Sequence, residues 1–129
     1  MLQERVEGKW AASFRRFLVL NGITEGTEVA IVCETQSRPV LLELCELALF
    51  DLGAMFSAIR LSTPPQTAPV PVKSTGASNA IAGMTHVIEA LKRVEVVLDI
   101  TVEGLIHAAE WPDIEAAGAR LVVICNEHP

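Results

Sequence analysis

The sequence predicts an α/β domain, a mainly parallel four-stranded sheet with flanking helices, and three observations predict it. Short β-rich runs alternate with helical periodicities along the chain. The first run, residues 28–33, is almost uncharged, as expected for a strand covered on both faces. The segments between the runs are long enough for right-handed crossovers. A chain of 129 residues and 13.9 kDa fits one domain of ordinary size. Hydrophobic residues at 50%, charged residues at 20% and a mean hydropathy of +0.38 exclude a disordered chain.

Val6, Trp10, Phe14, Phe17 and Leu18 fall on one face of a helix over residues 4–20, which Asn21 and Gly22 stop. The first strand covers residues 28–33. Ser37 or Arg38 then stands at an N-cap, with Pro39 at the first helical position, where its missing N–H costs nothing. Leu41, Leu44, Cys45, Ala48 and Leu52 follow at helical spacing until Gly53. Residues 54–61 read as the second strand. Four prolines between residues 62 and 71 exclude a helix or central strand there. A third helix is expected from about Ser78 to Arg93, with Ala80, Ile81, Met84, Val87, Ile88 and Leu91 on one face. The third strand covers residues 94–100, a short helix residues 113–117 up to Gly118, and the fourth strand residues 120–125. Only the first helix is available to cover that last strand, which otherwise looks bare and open to a partner.

Sixteen acidic against ten basic residues give a formal charge of -6, which works against nucleic acid as a partner. The most apolar stretch, residues 40–56, carries Glu43, Glu46 and Asp51 and so falls short of a membrane span. The first four residues lack the layout of a signal peptide. Cys33, Cys45 and Cys125 are odd in number and without CxxC spacing, so reduced thiols in the cytoplasm are expected.

Ligands of a parallel sheet bind beyond the carboxyl ends of its strands, which directs the search to residues 34–37, 62–72, 101–110 and 126–129. Asp99 closes the third strand, and Glu103, His107 and Glu110 follow. A histidine flanked by carboxylates there is a candidate general base, because a neighbouring negative charge stabilises the imidazolium. A solvated loop histidine has the same spacing. Residues 76–83, with Gly76 and Gly83 at the ends, open a helix and offer backbone N–H groups to an anion, yet lack the GxGxxG pattern. Cys125, Glu127 and His128 are metal-capable but do not make a closed site, and Cys125 reads more simply as a buried thiol. His86 reads as structural or solvated. No GxSxG, HExxH or Walker sequence is present, so covalent hydrolysis and phosphoryl transfer lack their usual support.

The order of elements carries a resemblance. The strand from Val29 to Cys33, the Pro39-initiated helix, the proline loop, the segment from Ala80 to Leu91, the strand end at Asp99 and the Leu105-Ile106-His107 triplet resemble the N-terminal domain of the 2,5-dihydroxypyridine 5,6-dioxygenases. So does the ending from Gly118 to Pro129. That family is related in fold to aminopeptidase T type metallo-aminopeptidases. The resemblance implies a Rossmann-like three-layer lobe over residues 1–129, with the metal ligands in a C-terminal lobe that this chain does not contain. It implies Fe(II) as cofactor, bound by that missing lobe, and no metal ligand or cofactor-binding residue in this chain. His107 matches the histidine that ring-cleaving members place near the metal as a base. The stretch between Asp99 and His107, residues 100–106, is slightly longer than the family's pattern.

The function so implied is oxidative ring opening of a dihydroxylated pyridine, with this lobe inactive alone. Its expected partners are a C-terminal lobe or partner chain, a small aromatic substrate in the full protein, and further copies in a homo-oligomer. The alternatives are the first lobe of a metallo-aminopeptidase, or a non-catalytic α/β module that binds a ligand or a partner.

Overall fold

The computed structural model describes residues 7–62 and 78–124. The proline-rich connection beyond Ser62, the Gly76 end of the glycine segment and the Cys125, Glu127 and His128 cluster lie outside the described residues. Helix α1 (Gly8–Leu20) leads into strand β1 (Glu28–Glu34), helix α2 (Pro39–Leu52) and strand β2 (Met55–Leu61). Helix α3 (Thr85–Leu91), strand β3 (Val96–Asp99), a single 3-10 turn (Leu105–His107), helix α4 (Trp111–Ala116) and strand β4 (Arg120–Val123) follow.

The four strands form one sheet in the order β2-β1-β3-β4, parallel at every pairing. Strand order therefore reverses between β1 and β3, the position where sheets of this kind open a crevice. Alternation along β1 explains its uniform apolarity. Val29, Ile31 and Cys33 enter one core with α2, whereas Ala30 and Val32 enter a second core with α3 and α4. Strand β3 divides in the same way, Val96 and Leu98 to the first core and Val97 to the second.

Helix α1 packs beside α2 on the first core through Trp10, Ala11, Phe14 and the fully buried Leu18. Val122 of β4 is buried in that same core. Strand β4 is thus covered in part, with Val122 buried and Val123 37% exposed. Pro39 opens α2 and Gly53 caps it in the left-handed conformation, as the sequence predicts. Among the described residues, no helix is long and apolar enough to cross a membrane.

The third helix is shorter than its pattern. Residues 78–83 form turns, with Ala82 N–H donating to the Asn79 carbonyl and Met84 N–H to that of Ile81. Gly83 has φ 74° and Met84 is not helical, so the helix starts at Thr85. Successive turns bury Ala80 and Ile81 four and three residues ahead of Met84, which imitates a helical face. Helix α4 begins two residues earlier than expected, with a proline in its first turn.

Candidate functional site

Two acidic side chains sit at the carboxyl ends of the central strands on the second-core face. Asp99 follows Val97 by two residues and Glu34 follows Val32 by two, so each continues the inward face of its strand. Val32 pairs with Asp99 in the sheet register, which places the two strand ends side by side. Asp99 is fully buried and Glu34 is 4% exposed.

Both carboxylates are occupied by the loop after β3. Asp99 Oδ1 accepts from the Thr101 backbone N–H at 2.9 Å and from the Thr101 hydroxyl at 2.6 Å. Its Oδ2 accepts from the Leu105 N–H at 2.6 Å. Glu34 Oε1 accepts from the Val102 N–H at 2.7 Å. The Ser37 hydroxyl donates to the Ile100 carbonyl at 2.7 Å and accepts from the Glu34 N–H at 2.9 Å. The Thr101 hydroxyl also accepts from Gly104 N–H at 3.2 Å. Gly104 itself has φ 86°, a conformation that excludes most side chains.

The product of this wiring is the 3-10 turn that carries His107. Leu105 is buried in the second core, whereas the His107 side chain is exposed at the carboxyl end of the sheet. The His107 carbonyl accepts from the Ser78 N–H at 3.2 Å, so the turn is held from both ends. Asp99 and His107 thus lie at the two ends of one clamped loop. Glu103 lies near Glu34 and acts on its charge. Glu110 leaves Oε2 buried with no hydrogen-bond partner.

The electrostatics follow from burial. Desolvation pushes the Asp99 carboxyl above its ordinary range, opposed by the bonds from Thr101 and Leu105 and by the positive charge of His107. Desolvation also raises Glu34, opposed by the Val102 N–H and reinforced by the neighbouring charges of Asp99 and Glu103. Burial raises the Cys33 thiol and pushes Cys45 up to about 12, so neither supplies a thiolate nucleophile near neutrality.

A cleft of about 140 Å³ opens beside this network, between β1, β2 and the start of α2, with Cys33, Arg38, Glu43, Glu46 and Arg60 on its walls. His107 does not line it. His86 is exposed on α3 and apart from the network, and the glycine segment precedes a helix of only seven residues. Among the described residues, no group of three or more His, Cys, Asp or Glu side chains could hold a metal ion. The described residues alone therefore do not fit an iron site. The roles of Glu34, Ser37 and Thr101 were missed in the sequence. The available signal was an acid and a hydroxyl residue at the ends of two neighbouring buried strands.

The structure matches that of 2,5-dihydroxypyridine dioxygenase from Pseudomonas putida KT2440 with a TM-score of 0.81 and 21% sequence identity. The match covers 95% of this chain and 35% of that one, so this chain spans about a third of the solved protein. At that identity the likeness establishes the shared fold. No curated protein sequence matches the chain. The family described as NicX, 2,5-dihydroxypyridine 5,6-dioxygenase, matches over residues 9–129, and the chain belongs to that family.

Proposed function

We propose that the chain is the amino-terminal lobe of an enzyme that opens the ring of a dihydroxylated pyridine by dioxygenation, with His107 as its proton acceptor. Family membership over residues 9–129 is the observation that carries this reading. The 35% coverage of the solved dioxygenase supports a further lobe, which is the partner the reading requires. In this reading Fe(II) belongs to that other lobe.

The part assigned to this chain is a proton step. A ring hydroxyl must lose its proton before the ring becomes electron-rich enough for attack by oxygen. An exposed imidazole on a clamped turn can take that proton at a ring nitrogen and pass it to solvent. The lobe by itself has no ring-opening activity.

The test joins the chain to its carboxy-terminal lobe and follows ring opening with and without iron. His107→Ala is expected to lower kcat about 100-fold or more while leaving iron content unchanged. Full activity in that variant, or ring opening by the 129 residues alone, overturns the reading.

A further inference from the structure

We propose that Asp99 is a positioning residue for His107, its two carboxylate oxygens fixing the Thr101-to-Leu105 loop that leads into the His107 turn. The inference rests on the reading of His107 as a proton acceptor, and it concerns a different residue and a separate measurement.

Asp99 Oδ1 takes two donors from Thr101 and Oδ2 takes the Leu105 N–H. Three donors on two oxygens require a group that accepts on both sides and donates on neither. An ionised carboxylate does this, whereas an isosteric amide turns an N–H₂ toward one of the donors. Glu34 differs, because its bond to the loop uses Oε1 alone and an amide oxygen can replace it.

Geometry then links the clamp to His107. Leu105 is the first residue of the 3-10 turn, and the turn is closed by His107 N–H on the Gly104 carbonyl and Ala108 N–H on that of Leu105. Fixing the Leu105 N–H fixes the start of a turn only three residues long. The other end is tied to Ser78. His107 thus has little freedom in its backbone while its ring stays in solvent.

Among the described residues, the ionisable groups on this loop and at the strand ends beside it include Glu34, Asp99, Glu103, His107 and Glu110. Asp99 and Glu103 both act on Glu34, and His107 acts on Asp99. Asp99 is fully buried, so its field is less screened by water than that of an exposed acid.

The test uses nuclear magnetic resonance on the 129-residue chain. In Asp99→Asn the ring and amide resonances of His107 are expected to move, with those of His86 unchanged. Exchange of the Leu105 amide rises about tenfold, while the β1 amides stay protected. Glu34→Gln leaves the His107 resonances in place. If Asp99→Asn does not fold, the unmutated chain decides, because its Leu105 amide must be as protected as the β1 amides.

In the two-lobed enzyme Asp99→Asn is expected to lower kcat about tenfold while KM stays unchanged. Unmoved His107 resonances in Asp99→Asn, or a Leu105 amide that exchanges freely in the unmutated chain, overturn the assignment. Resonances that move while His107→Ala retains activity overturn only the reading of His107 as proton acceptor.

Discussion

The two faces of the sheet are covered by opposite means. On one, α1 and α2 run for 13 and 14 residues and fill a core of aliphatic side chains with Cys33 and Cys45. On the other, elements of seven, three and six residues are joined by turns. Long helices satisfy their own backbone and leave few N–H groups to aim elsewhere. Frequent turns release N–H groups, and on the second face these converge on Asp99 and Glu34. The first face supplies burial and the second supplies direction.

This contrast can be broken in four ways. Leu44 is fully buried in the first core, so Leu44→Ala is expected to cost about 2–5 kcal/mol in denaturant unfolding. The same truncation at Ile106, 59% exposed on the second face, should cost far less, and an equal loss would erase the contrast. Gly104→Ala forces a side chain onto a residue with φ 86° and is expected to cost about 1–3 kcal/mol. Hydrogen exchange should place that loss in residues 101–107, and uniform loosening would show that the loop is not a separate unit.

The third way is pH. Burial raises Glu34 and Asp99 above the range that they have in the unfolded chain, so the folded state holds its protons to higher pH. The stability gained from protonation is complete below the ordinary carboxylate range and is lost as pH rises through the raised values. The urea midpoint should therefore increase on mild acidification from neutrality. Glu34→Gln should flatten that increase, and an unaltered profile would remove Glu34 as its source. The smallest effect is expected at the Arg15–Asp51 ion pair between α1 and α2, where both side chains are more than half exposed. Asp51→Asn should change stability by about 0–1 kcal/mol, and a larger change would mean that the first face depends on polar contacts too.

The two faces also differ in how far the sequence revealed them. Strand β1 and helix α2 were legible because burial on both sides and a 3.6-residue period leave local signatures, as do Pro39 and Gly53 at the helix ends. Asp99 and His107 were legible as a strand-end acid and a loop histidine. The start of α3 was not, since consecutive turns at Asn79 and Ile81 bury apolar residues at nearly the helical interval. The Glu34 bond to Val102 was beyond reach, because it joins residues 68 apart through a strand pairing that no local pattern encodes.

That same bond has a consequence for what the sheet can admit. Where strand order reverses, between β1 and β3, sheets of this layout in other families offer free backbone N–H groups to a nucleotide phosphate. In this chain the Val102 N–H is already taken by Glu34, and the Ser37 hydroxyl ties the Ile100 carbonyl across the same gap. The lobe carries its own resident anion in that socket. An incoming phosphate would meet a like charge and have to displace a 2.7 Å hydrogen bond to enter, so Glu34 and Ser37 turn a receptor's doorway into a brace.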